Sequence, residues 1–133
     1  MDAHVKDVAR EMSKASDEER ITFPEVVKAL TDVGIERYHT DLITARKTYY
    51  LPDGGFEETQ VHKAGAPALE FSAEGVEKAV RAIQRREVGY REFCRRIAEA
   101  GSVGYFVSLA GRRAVYYGRT GDEHVEWFPG AKP

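Results

Sequence analysis

Laid over itself with an offset of 67 residues, the chain repeats itself. Residues 21–54, ITFPEVVKALTDVGIERYHTDLITARKTYYLPDG, fall on residues 88–121, VGYREFCRRIAEAGSVGYFVSLAGRRAVYYGRTG. Eight of the 34 positions are identical: Glu25/Glu92, Gly34/Gly101, Tyr38/Tyr105, Leu42/Leu109, Arg46/Arg113, Tyr49/Tyr116, Tyr50/Tyr117 and Gly54/Gly121. Ordinary composition gives about two by chance. The similar pairs carry more weight, because Val26, Val27, Leu30 and Val33 fall on Phe93, Cys94, Ile97 and Ala100. That is one apolar helical stripe written twice, and chance identity does not preserve a helix face.

Each unit reads as two helices followed by strands. Thr22 with Glu25 makes a capping box, and Pro24 sits in the first turn, where its missing N–H costs nothing. Gly34 and Gly101 stand where a left-handed cap ends a helix. After each glycine come two β-rich runs joined by a short turn, around Ile43–Thr44 and around Ala110–Gly111. With a two-residue turn, Tyr38 lies opposite Tyr49 and Tyr105 opposite Tyr116, while Tyr50 and Tyr117 point to the other face. Weaker third strands are expected at Glu57–Val61 and His124–Phe128. An earlier helix precedes each unit, with stripes Val5, Val8, Ala9, Met12 and Val76, Ala79, Val80, Ile83, the latter opened by Ser72. The segment KAGAPALEF joins the halves.

The expected fold is therefore α+β: an internal duplication of a helix-helix-strand-strand(-strand) unit, with repeats at about 5–61 and 72–128. The halves share one antiparallel sheet with helices packed on one face, related by a pseudo-twofold axis. At 133 residues the chain is one domain, since neither half alone buries enough surface.

Composition narrows the setting. A single cysteine, Cys94, excludes an intrachain disulfide and suits a reducing, cytoplasmic compartment. The start, MDAHVKDVAREMSK, has no apolar signal region, and no apolar run approaches a membrane span. A net charge of −2 argues against nucleic acid, although residues 81–119 hold nine arginines against Glu87, Glu92 and Glu99.

Among residues that carry chemistry, Cys94 falls on the buried stripe opposite Val27 and reads as core. His4, His39, His62 and His124 show no ligand spacing, so no metal or cofactor is expected, and no catalytic residue is assigned. The recurring tyrosines and arginines are the site candidates: Tyr38, Arg46, Tyr49, Tyr50, Tyr105, Arg113, Tyr116 and Tyr117. Asp41 is expected to face Arg46 as a surface pair, and Ser108 takes its place in the second unit.

Phe23-Pro24, Gly34, Tyr38, Tyr49-Tyr50, Tyr90-Arg91-Glu92-Phe93-Cys94, Ala98-Glu99-Ala100-Gly101 and Tyr116-Tyr117 give the chain a resemblance. It resembles the YdfO/YbcV-like family of small bacterial and phage-associated proteins over nearly its whole length. Ile83 stands where that family typically has histidine and Arg86 where it has glycine, while Gln84 is kept. Ala114-Val115 and Gly118 replace its usual Cys-Thr and Asp. The resemblance implies a fold and no established activity.

The functional expectation is a non-enzymatic or regulatory module that holds a small anionic or planar ligand in an aromatic and arginine cleft between the repeats. The alternative is a protein-interaction or self-associating module, such as a homodimer, in which strand edges and Trp127-Phe128 are covered by a partner. An enzyme using tyrosine, His39 and arginine ranks below both.

Overall fold

The computed structural model describes residues 1–131 and contains four helices and one six-stranded antiparallel sheet. In chain order these are α1 (Ala3–Asp17), α2 (Phe23–Asp32), β1 (Arg37–Asp41), β2 (Arg46–Tyr50) and β3 (Phe56–Gln60). Then follow α3 (Ala73–Gln84), α4 (Tyr90–Glu99), β4 (Ser102–Ser108), β5 (Arg113–Gly118) and β6 (Glu123–Trp127). The sheet order is β3-β2-β1-β4-β5-β6, so each half supplies a three-stranded meander and β1 joins β4 at the centre.

Local chemistry starts α2 and α3, and stops α2 and α4, where the sequence indicates. Asp2 accepts the Val5 amide at 2.9 Å to open α1, and Ser72 accepts the Gly75 amide at 3.0 Å to open α3. The Thr22–Glu25 capping box opens α2, with Glu25 accepting the Thr22 amide at 2.9 Å. That bond holds the Glu25 carboxyl below its ordinary range. Gly34 and Gly101 adopt φ of 85° and 89° just past α2 and α4.

The backbone recurs at the offset read from the sequence. Four pairs of left-handed residues lie 67 apart: Glu19 and Arg86, Gly34 and Gly101, Ala45 and Arg112, Gly54 and Gly121. The β1–β4 register runs from Arg37 opposite Ser108 to Asp41 opposite Gly104. Exchanging each residue with its counterpart 67 positions on returns the same pairs, with His39 opposite Phe106 at the centre.

Three local expectations are corrected. The hairpin turns span four residues rather than two, because Asp41 is the last residue of β1 to pair with β2 and Leu42 gives its amide to Val103 of the second half. The tyrosine register survives, with Tyr38 opposite Tyr49 and Tyr105 opposite Tyr116. The third strands begin one residue earlier than expected, at Phe56 and Glu123, since Phe56 and Glu123 pair with Tyr50 and Tyr117. Asp41 and Arg46 pair in register but form no ion pair. Asp41 accepts the Ile43 and Thr44 amides at 2.8 and 3.1 Å, and Arg46 bonds Glu58 on β3. Ser108 does the same service in the second half, accepting the Gly111 amide at 2.7 Å.

The core lies between the helices and one face of the sheet. Tyr38, Tyr49, Tyr105, Val107, Ala114 and Tyr116 from the strands meet Val5, Ala9, Met12, Leu30, Val76, Val80, Phe93, Cys94 and Ile97 from the helices. The opposite face carries no helix. No helix among the described residues is long and apolar enough to cross a membrane.

Candidate functional site

Period-two alternation splits the eight expected site residues into two groups with the sheet between them. Tyr38, Tyr49, Tyr105 and Tyr116 are buried on the helix side, at 1–7% exposure. Arg46, Tyr50, Arg113 and Tyr117 stand on the open side. No single cleft collects all eight.

The open face has three rows of side chains set by the strand register. From β3 to β6 the first row reads Phe56, Tyr50, Arg37, Ser108, Arg113, Trp127. The middle row reads Glu58, Thr48, His39, Phe106, Val115, Val125, and the last Gln60, Arg46, Asp41, Gly104, Tyr117, Glu123. Aromatic contacts knit the surface. The Arg37 guanidinium lies 4.0 Å over the Tyr50 ring, and that of Arg113 lies 4.7 Å over the Trp127 ring. His39 stacks on Phe106 with centroids 4.4 Å apart, and its Nε2 meets the Tyr117 hydroxyl at 2.6 Å. Gly104 makes that bond geometrically feasible, since a Cβ there would overlap the Tyr117 phenol and the Thr40 carbonyl. Burial lowers the His39 pKa, which favours the neutral ring in this stack. Phe106 and Phe56 are 45% and 59% exposed.

The helix side holds a feature that composition and motif did not show: a buried polar cluster in which Lys47 of the first half meets Tyr90 and Tyr105 of the second. Lys47 is 3% exposed. Its Nζ donates to the Tyr90 hydroxyl at 3.0 Å, and the Tyr38 and Tyr90 rings flank it at 5.5 and 4.9 Å. Tyr90 and Tyr105 share a hydroxyl contact of 2.8 Å. Among the described residues Lys47 forms no ion pair, and burial pulls its pKa down from 10.5 to about 8. Burial likewise pushes the adjacent Cys94 thiol up to about 11 and raises Tyr90 and Tyr105, so Cys94 is an inert core thiol. The Thr40 hydroxyl and His62 Nε2 are buried without a protein partner, while His62 Nδ1 meets Asp17 at 2.8 Å.

Beside this cluster, between α1 and β3, runs an open groove of about 540 Å³ lined by Arg10, Ser13, Lys14, Asp17, Thr59 and Arg91, among others. The Ser13 hydroxyl in its wall meets those of Tyr49 at 2.8 Å and Thr59 at 2.6 Å. The second half has a different polar group. Glu77, His124 and Glu126 place ligand atoms within 4.8 Å of one another. Glu126, however, already meets Arg81 at 3.0 Å and His124 at 2.6 Å, so the trio is a closed ion-pair network. The arginines of residues 81–119 disperse: Arg95 and Arg96 pair with Glu92, Arg91 bonds the Asp17 carbonyl, and Arg113 lies on the open face.

One sequence signal pointed to Lys47. In RKTYY, alternation that buries Tyr49 also buries the lysine two residues before it. Its counterpart 67 residues on is Ala114. The groove has no such signal, because it exists only once α1 packs on β3.

No curated protein matches the chain. A family model described as "Protein of unknown function (DUF1398)" matches residues 14–126, the span from the last turn of α1 into β6. With most of its length covered, the chain belongs to that family.

Proposed function

We infer that the protein is an interaction module that associates with a second copy of itself through the open face of its sheet. The observation that carries this reading is the face itself: helices cover only one side, and the other presents Phe56 with Tyr50 as one group and Phe106, Val115, Tyr117, Val125 and Trp127 as another, bridged by Arg37 and His39. Such a face marks a binding surface.

Charge supports self-recognition. The face carries Arg37, Arg46 and Arg113 against Asp41, Glu58 and Glu123, a neutral balance that disfavours phosphate backbones. Under a twofold axis parallel to the strands, column order reverses and row order is kept. Phe56 then meets Trp127, Tyr50 meets Arg113, His39 meets Phe106 and Arg46 meets Tyr117, with no like charges opposed. Two twisted sheets pack in this way at about −30°. Six strands at about 4.8 Å and five residues at about 3.4 Å give a footprint of roughly 500 Å². Side-chain relief brings that within reach of the roughly 800 Å² per partner of a standard interface. Edge-to-edge association is disfavoured, because β3 and β6 each carry two glutamates.

Sedimentation velocity on the wild type and on Phe106→Glu tests the reading. The wild type sediments as a dimer, and Phe106→Glu as a folded monomer with an unchanged circular dichroism spectrum. A wild-type monomer across the micromolar range would overturn self-association. A monomer carrying extra mass in native mass spectrometry would favour the small anionic or planar ligand instead.

A further inference from the structure

We propose that Lys47 is a carbonyl-reactive amine that forms an imine with a small oxo acid admitted through the groove between α1 and β3. This inference is independent of the open face and uses the opposite side of the sheet.

The first observation is that no carboxylate contacts Lys47 among the described residues, Asp17 being the nearest charge that acts on it. A buried ammonium carries three donors and is normally paired with a carboxylate. Here one hydroxyl, Tyr90, is its only hydrogen-bond partner among the described residues, and aromatic rings flank it. Such surroundings disfavour the charge and leave a nitrogen lone pair, the condition for an amine nucleophile. With its pKa near 8 against 10.5, the neutral fraction at pH 7 rises on the order of a hundredfold over a free lysine.

The second observation is a proton path. Lys47 Nζ, the Tyr90 hydroxyl and the Tyr105 hydroxyl form a chain with links of 3.0 and 2.8 Å. The third is spare hydrogen-bonding capacity beside the cluster: His62 Nε2 is buried and unpartnered, its ring stands edge-on to Tyr90, and its side chain is only 10% exposed. Buried polar atoms without partners call for a guest or a functional role. The fourth is the approach. The groove wall contributes the exchangeable hydroxyls of Ser13 and Thr59, and Thr59 stands opposite Lys47 in the β2–β3 register. Lys14 and Arg91, on the groove, have no carboxylate partner among the described residues, which selects a carbonyl compound that bears an acid group.

The step balances without a redox partner. The Lys47 lone pair attacks the carbonyl carbon, and the carbonyl π pair moves to oxygen. The Tyr90 hydroxyl gives its proton to that oxygen and recovers one from the nitrogen, leaving a neutral carbinolamine. The nitrogen lone pair then expels that oxygen, which takes a proton from the Tyr90 hydroxyl and departs as water, and the N–H proton of the resulting iminium returns to the tyrosine pair. Amine and carbonyl become imine and water.

The test is reductive trapping on the full chain with glyoxylate and cyanoborohydride near pH 7, read by intact mass and peptide mapping. One adduct on the peptide holding Lys47 is expected, formed about tenfold or more faster than on Lys6, Lys28 or Lys78. Lys47→Met should fold and lose that adduct alone, since the second half tolerates an apolar residue at the same place. Tyr90→Phe should slow labelling of Lys47 while leaving exposed lysines unchanged, a split that a merely structural tyrosine would not produce. Glycolaldehyde, an uncharged probe, should label Lys47 more slowly than glyoxylate does. Adducts only on exposed lysines, or on Lys47 only after denaturation, would overturn the proposal.

Discussion

In the first half of the molecule the helix-facing positions of the sheet include Thr40 and Lys47, and the helix above contributes Ser13. Sixty-seven residues on, the same positions hold Val107, Ala114 and Val80. All six are buried, and the strand pairs match, with Thr40 opposite Lys47 and Val107 opposite Ala114. The second half shows that this architecture closes with apolar residues at these points. The first half therefore keeps its polar groups against a desolvation cost that the fold does not require. The halves also differ in how they treat buried charge. Glu126 is bonded to Arg81 and His124, whereas Lys47 has only a phenol. A closed network reads as structure; an unpaired lysine reads as a site.

The sharpest way to break this comparison is to write the first half into the second. Ala114→Lys forces a long amine into a packed site opposite Glu126, whose carboxylate is already held by Arg81 and His124. No phenol stands where Tyr90 does, because the equivalent residue is Phe23. Chemical denaturation should show a loss of about 3 kcal/mol or more. A variant as stable as wild type would mean that the two sites are equally tolerant of charge.

The next effect separates the halves at their helix caps. Gly34 and Gly101 share the left-handed conformation, yet a Cβ on Gly34 would meet nothing nearer than Leu51 at 4.0 Å, while one on Gly101 would collide with the Glu70 carbonyl of the linker. Gly34→Ala should cost only the backbone strain of about 1–2 kcal/mol, and Gly101→Ala overpacking of about 1–3 kcal/mol besides. Equal costs would show that the linker yields freely.

A smaller contrast lies at the opposite ends of those helices. The Thr22–Glu25 capping box has no counterpart in the second half, where Gly89 is the N-cap of α4. Thr22→Ala should cost about 1 kcal/mol. A loss within the noise would make the box ornamental.

Much of this was legible in the sequence, and physics explains which part. Caps, helix stripes and hairpin register are local or periodic, so Thr22, Gly34 and the Tyr38–Tyr49 pairing could be read directly. The third strands shifted by a residue because their ends are decided by neighbours, Phe56 by Tyr50 and Glu123 by Tyr117. Parity within a strand already separated Tyr49 from Tyr50, and applying it to Lys47 would have exposed the buried amine. The groove and the Lys47–Tyr90 bond join segments 43 residues apart, and only tertiary packing brings them together.

Stability measured against pH for wild type and Lys47→Met tests the central claim most directly. The folded lysine titrates near 8 and the unfolded one near 10.5, so between those values the unfolded chain binds more protons and stability rises with pH. Above about pH 10 the core tyrosines reverse the trend, because the unfolded chain ionises them first. Asp17 and Cys94 also face the amine, and the raised Cys94 thiol opposes the lysine above about pH 9, because the unfolded chain ionises it first. Cys94 and the tyrosines act on both proteins, so the difference between them isolates the lysine. The account predicts that Lys47→Met is the more stable protein at pH 7 and that its advantage shrinks by about 2–3 kcal/mol between pH 7.5 and 10. A difference that does not change with pH, or a Lys47→Met protein less stable than wild type at pH 7, would contradict it.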